Sequence, residues 1–194
     1  MTKLTERSIG PAGARVLEGG EGLAVVVLDR ADGARATPFL ELLADHCRVV
    51  ALACRDGDDG GSVLRDASAL GIDRFTALGH GARAELALRL AVAAPERVRS
   101  IAMLAPPPAG AGAGGLTGIT VPVLALFGTR DSDSPPEAAH RWRAALKDCH
   151  LVMVYDAAND LAGERPEAVA DVVADFVANE DRFLVTHESG VIHP

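Results

Sequence analysis

Short continuous apolar runs alternate along this chain with longer stretches in which apolar residues recur every three or four positions. Leu23-Ala24-Val25-Val26-Val27-Leu28 is apolar throughout and rich in β-branched residues, the pattern of a strand covered on both faces. Arg48–Cys54, Arg74–Leu78, Val98–Leu104, Val123–Phe127 and Leu151–Tyr155 read as further strands of the same kind. Helical signals fall between them. Thr37-Pro38 predicts a helix start, with Thr as N-cap, Pro in the first turn and Phe39, Leu40, Leu42 and Leu43 on the buried side. Ser62–Leu70 is a short helix stopped by Gly71, and Ala82–Ala94 a longer Ala/Leu helix ended by Pro95. Pro135–Leu146 follows as another helix. Behind Pro166, the residues Val169, Val172, Val173, Phe176 and Val177 share one helical face. Ahead of the first run, Glu6–Ile9 and Arg15–Glu18 are spaced for an antiparallel hairpin at the edge of a sheet.

Strands alternating with helices predict the α/β class, with a mostly parallel central sheet and helices on both faces. One domain is expected over residues 1–180, with a tail over 181–194 and no internal repeat. The Pro/Gly/Ala-rich stretch Pro106–Gly118 is too short for a second domain, and it would lie near the strand ends, where open α/β sheets bind ligands. With 194 residues, 48% of them hydrophobic, the chain can bury a core without disulfides. Aromatics are only 4%, so Ala, Val and Leu must fill that core. A formal net charge of −8 argues against a nucleic-acid surface. No stretch approaches the roughly 18–20 apolar residues of a membrane span, and Met1–Arg7 does not begin a signal peptide. Cys47, Cys54 and Cys149 have no metal-ligand spacing, and reduced thiols in a cytoplasmic protein are the simplest expectation. No metal or cofactor is expected.

The chemistry concentrates where strand Arg74–Leu78 runs into Gly79-His80-Gly81-Ala82-Arg83 and a helix. Gly79-x-Gly81-x-x-Ala84 fits a dinucleotide fingerprint, but that motif needs an acidic residue at the end of the next strand. Here the strand ends Met103-Leu104-Ala105-Pro106, without a carboxylate. The other reading is the strand–turn–helix of a nucleophile elbow, G-x-S-x-G. The run from Arg48 to Pro106, including Gly71–His80 and Pro95–Ser100, resembles the lid-bearing α/β-hydrolase family. Val121–Asp131 resembles the strand and turn that carry that family's catalytic acid, and Glu164–Val169 resembles its closing helix. The resemblance covers roughly residues 20 to 179 and implies an α/β-hydrolase-like core. Only the short Pro/Gly/Ala loop stands in the lid position, so no lid domain is expected.

The same resemblance shows what is missing. Gly81 occupies the nucleophile position and has no side chain to attack with. Arg83 replaces the second elbow glycine. Ala158-Asn159 stands where the catalytic histidine should follow strand Leu151–Tyr155, and Asp29-Arg30 stands in place of the oxyanion-loop His-Gly. Asp131 alone keeps the expected type. Nucleophile positions are strained, by about 1–3 kcal/mol for a non-glycine residue, and a chain released from the reaction can drift to glycine. Loss of hydrolysis is the expectation, leaving a pseudohydrolase that binds a small molecule or a protein partner. The backbone N–H of Ala82 would survive as half of an oxyanion hole. The alternative is lyase- or isomerase-type chemistry, or a rearranged triad, using His80 and Asp131.

The remaining polar residues each carry a plain and a sharp reading. His80 either packs beneath the elbow or contacts a ligand, and Asp131 either caps its own turn or serves the pocket. Asp29, Arg30 and Arg83 either form an ion-pair set or leave arginines for an anionic ligand. Ligand-pocket candidates are therefore Asp29, Arg30, His80, Gly81, Ala82, Asp131 and Asn159. Cys54, at a strand end, reads as an inert buried thiol rather than a replacement nucleophile. His187, Glu188 and His193 have a spacing that permits a metal, although loose tail histidines usually hold none. Phe183–Val185 and Val191-Ile192 are too apolar for a solvated tail, which should pack on its own domain or a second subunit, as an added edge strand for example.

Overall fold

The computed structural model describes residues 1–9, 14–30, 35–54, 60–108, 118–183 and 191–192, with Arg30, Pro136, Glu137, Asp181, Val191 and Ile192 described by their backbone alone. Six apolar runs become the central parallel strands: β3 (Ala24–Arg30), β4 (Arg48–Cys54), β5 (Phe75–His80), β6 (Val98–Leu104), β7 (Val123–Gly128) and β8 (Cys149–Val154). Their continuous hydrophobicity follows from burial on both faces. In β3, Val26 and Leu28 pack on one side of the sheet while Val25 and Val27 pack on the other. The predicted hairpin is present as β1 (Thr5–Ile9) and β2 (Ala14–Gly19), antiparallel at the edge, with β2 also antiparallel to β4. Among the described residues the sheet has nine strands, in the order β1-β2-β4-β3-β5-β6-β7-β8-β9, where β9 is Val191–Ile192, parallel to β8.

The helices cover the sheet in two layers. The α2 helix (Gly61–Ala69), α3 (Arg83–Ala93) and α4 (Pro136–Ala145) pack on one face, around Val63, Leu86, Leu90 and Trp142. On the other face lie α1 (Pro38–Leu43), the single turn α5 (Leu161–Glu164) and α6 (Pro166–Asn179), around Leu43, Leu161 and Phe176. Thr37 caps α1 as expected, its hydroxyl accepting the Leu40 N–H at 3.3 Å. Two features have no counterpart in the periodicity: the α5 turn, started by an Asp160 carboxylate that accepts the Gly163 N–H, and the 3-10 turn Glu180–Arg182. No lid domain is built by the described residues, and residues 109–117 of the Pro/Gly/Ala stretch lie outside them. Among the described residues no helix is long and apolar enough to cross a membrane.

The start of the tail is anchored. Phe183 is buried, with its ring edge-on to Phe176 at 5.5 Å and to His150 at 5.3 Å between centroids. Just before it, Arg99 pairs with Glu180 at 2.7 Å. Leu184 and Val185 lie outside the described residues. A chain ending at Glu180 is expected to lose about 3 kcal/mol of stability, the cost of deleting a buried phenylalanine, whereas one ending at Phe183 keeps most of it. Urea unfolding and elution volume of the two truncations check this. An unchanged midpoint and volume for the shorter chain would show that the tail contributes nothing to fold or assembly.

Candidate functional site

The site is built where β5, β7 and β8 end. Beyond His80 the backbone of Gly81 turns into the left-handed region at φ +56°, Ala82 has returned to φ −60°, and α3 begins at Arg83. This is an elbow. The Gly81 N–H donates to the Leu104 carbonyl at 2.9 Å, carrying the β5–β6 pairing one residue past the strand, and the Gly81 carbonyl accepts the Ala84 N–H at 3.0 Å. A Cβ at Gly81 would meet nothing within 4 Å, so the position is strained for a side chain yet open in space. Gly79 is the reverse case. A Cβ there would lie 2.4 Å from the Arg83 carbonyl oxygen and 2.7 Å from the Ala84 nitrogen, so α3 can cross β5 this closely only over glycine.

β7 delivers Asp131. The chain turns at Thr129 and Arg130, whose N–H donates to the Ala157 carbonyl at 2.9 Å, and Asp131 is buried behind that turn. One carboxylate oxygen, Oδ1, accepts the backbone N–H groups of Asp133 and Ser134 at 2.9 and 3.0 Å. The other, Oδ2, accepts the side-chain amide of Asn159 at 3.2 Å. Asp131 thus caps its own turn and, with its second oxygen, holds Asn159. Ser134 also donates its hydroxyl to the Pro106 carbonyl, and the Trp142 indole donates to the Pro107 carbonyl at 3.0 Å. These bonds tie the start of the Pro-rich stretch to the acid's turn. Ala105, just before it, is held at φ +43°, a strained angle for alanine.

β8 delivers Asn159 through Asp156-Ala157-Ala158. Glu164 of α5 accepts the Ala158 N–H at 3.2 Å and an Arg130 guanidinium N–H at 3.1 Å, while Arg130 and Arg165 both pair with Asp156 at 3.0 Å. Exposed pairs of this kind add little stability each, but together they set the course of the loop. Its end lies against the elbow, because the His80 ring nitrogen Nε2 donates to the Asn159 main-chain carbonyl at 2.9 Å. His80 is half-buried there. Two consecutive links thus run from Asp131 through Asn159 to His80, beside Gly81.

Of the seven candidates, the structure joins Gly81, Ala82, His80, Asn159 and Asp131. Asp29 is the next-to-last residue of β3, opposite Ala53, and both Asp29 and Arg83 are engaged by other groups. The proposed ion-pair set with Arg30 involves a side chain outside the described residues. Cys54 is fully buried, its thiol 3.5 Å from the Leu52 carbonyl. Burial pushes the Cys47 thiol up to about 11 and the Cys149 thiol up to about 12, so neither supplies a thiolate near neutral pH. His187, Glu188 and His193 lie outside the described residues, and the described ones hold no cluster able to bind a metal. Sequence reasoning assigned no loop-holding role to Ser134 or Glu164, which tie the two loops in place. The repeated Asp-Ser composition of Asp131–Ser134 was a signal for the first, since such residues favour side-chain-capped turns. Nothing local marked Glu164, whose partners Ala158 and Arg130 come from other segments.

No family model matches the chain, nor does any curated protein sequence. Solved structures do. A predicted CIB-like hydrolase from Thermoplasma acidophilum superposes with a TM-score of 0.75 at 18% identity, covering 92% of this chain and 100% of that one. The naproxen esterase from Bacillus subtilis gives 0.73 at 18% identity over 91% of each chain. The 2-hydroxy-6-oxo-6-phenylhexa-2,4-dienoate hydrolase from a Rhodococcus strain gives 0.75 at 16% identity, covering 89% of this chain and 98% of that one. Identities this low carry the architecture and leave the chemistry to the residues. Strand order, elbow and superposition together show that this chain has the α/β-hydrolase fold.

Proposed function

We propose that this chain is a pseudohydrolase: a protein that keeps the hydrolase elbow and uses the open space at Gly81 to bind rather than to cleave. The observation that carries this reading is the Asp131–Asn159 hydrogen bond beside Gly81. The acid of a triad orients an imidazole, which takes the nucleophile's proton. Here Asp131 orients an amide, which cannot take one, and the residue it would serve has no hydroxyl. Asp131 is held by three donors, the Asp133 and Ser134 N–H groups and the Asn159 amide, an arrangement that suits a residue orienting its neighbours more than one exchanging protons with a ligand. That argues against the lyase or isomerase alternative, which needs Asp131 as well as His80. The bound species is a small molecule or a segment of a partner protein. Two buried thiols without disulfides suit a reducing compartment, and we place the protein in the cytoplasm on that ground.

Short acyl esters are expected to turn over no faster than background, and serine-directed phosphonates to leave the protein unlabelled. Stoichiometric labelling of any serine would overturn the reading. Gly81→Ser should restore the nucleophile's identity without activity, at a cost of about 1–3 kcal/mol for a side chain at this backbone angle. Adding Asn159→His should gain weak turnover at most, because nucleophile, base and oxyanion donors act as a unit. Brisk turnover by the single variant would mean that a base is already in place.

A further inference from the structure

We propose that a groove at the opposite end of the sheet from the elbow docks an arginine-bearing segment of a partner protein. The groove lies where β3 and β4 begin, whereas Gly81 follows the end of β5, so the proposal stands apart from the reading of the hydrolase site. Main-chain bonds set its first wall. The Leu23 carbonyl accepts the Arg48 N–H at 3.0 Å, and the Leu43 carbonyl accepts the His46 and Cys47 N–H groups at 3.0 Å each. Leu23 and the turn before β4 are thereby held side by side. The C-terminal half of α6 forms the other wall. Its Ala174 and Ala178 are too short to close the gap, and a cavity of about 360 Å³ remains. The floor is apolar, with Cys47, Ala174 and Val177 buried and Leu23 left exposed. That volume is near the lower end of ligand pockets, roughly 300–1,000 Å³, and suits one long side chain.

Charge at the rim decides the occupant. Asp171 and Asp175, both exposed, stand one helical turn apart and line the groove. Glu167, also exposed, continues the row, so three carboxylates span about 12 Å of helix. No Lys, Arg or His occurs in α6 to offset them. Asp175 lies one turn from the C-terminal end of α6, where the helix dipole adds its own partial negative charge. The Asn179 side-chain amide donates to Asp175 Oδ1 at 2.6 Å, which holds the carboxylate without neutralising it. A cation on an apolar stem is the complement, its stem on the floor and its charge at the rim. Arginine meets this better than lysine, because a guanidinium is planar, weakly hydrated and has five donors with which to bridge two carboxylates. The row runs past the cavity to Glu167, which favours a peptide segment over a free small cation confined to the groove. The net charge of −8 draws a basic partner in at long range.

A blocked hexapeptide, Ala-Arg-Ala-Ala-Ala-Arg, tests this on the isotope-labelled full chain at low salt. Saturable shifts are expected at the Leu23, Cys47, Ala174 and Ala178 amides. Citrulline in place of arginine, similar in shape but uncharged, should bind at least about tenfold weaker, and lysine about threefold weaker. Agmatine, a free guanidinium on a short stem, should also be at least about tenfold weaker than the peptide. Asp171→Asn combined with Asp175→Asn should weaken the arginine peptide about tenfold. The citrulline comparison needs no variant, so it decides even if that pair of substitutions disturbs α6. A citrulline or lysine peptide binding as tightly, agmatine matching the peptide, or full affinity in the double variant would each overturn the proposal. So would the lack of saturable shifts at the groove. Groove amides that shift on dilution of the protein alone would overturn it too, marking the face as a contact between copies of this chain.

Discussion

Gly79→Ala is expected to destabilise the protein by about 3 kcal/mol, the upper end of ordinary overpacking costs, and Gly81→Ala by only about 1–2 kcal/mol. The order reverses what backbone angles alone suggest, because Gly81 is the residue with positive φ. At Gly79 the obstacle is main chain. A new Cβ would press on the Arg83 carbonyl at 2.4 Å and the Ala84 nitrogen at 2.7 Å, and neither can turn aside as a side chain would. Relief requires the first turn of α3 to lift off β5, which drags the elbow with it. At Gly81 the added methyl enters open space, so only the left-handed angle is penalised. Urea unfolding of the two variants checks the ranking. Equal midpoints, or a larger loss at Gly81, would mean that α3 does not sit this tightly on β5.

Asp131→Ala is expected to cost about 3 kcal/mol and to loosen the site at the same time. The substitution strands the N–H groups of Asp133 and Ser134 and the side-chain amide of Asn159, and an unsatisfied buried donor costs about 1–3 kcal/mol. Water reaches the more exposed of these and trims the sum. Asp131→Asn should cost less, since its oxygen can still accept from the turn while its amide nitrogen opposes that of Asn159. Unfolding measurements give the energies, and the Asn159 side-chain amide signals report the site. Signals that stay put in Asp131→Ala would show that the carboxylate does not orient Asn159.

How much of this was readable beforehand differs between fold and site. Arg48–Cys54 and Val98–Leu104 match their strands end to end, because a strand buried on both faces writes an unbroken apolar run with abrupt polar borders. β5 runs two residues further than Arg74–Leu78 suggested, through Gly79 and His80. A glycine and a histidine look like loop residues, yet Gly79 is in the strand because α3 needs the room above it. The elbow was readable as a motif. Its left-handed angle at Gly81 was an expectation from resemblance that the backbone bears out. The Asp131–Asn159 bond was not readable, since it joins residues 28 positions apart through two loops.

By itself the sequence determined the layers, the strand and helix alternation, the edge hairpin and the identities of the residues at the elbow. Those depend on local periodicity and on which side chains are present, which a chain carries before it folds. Tertiary structure alone decided the hydrogen-bond partners. It gave both oxygens of Asp131 to three donors, turned the Asn159 amide toward the acid and placed a carbonyl on one nitrogen of His80. Hydrogen bonds are short and directional, so the capacity a site has left for a ligand is settled only when loops from distant parts of the chain come within about 3 Å of one another.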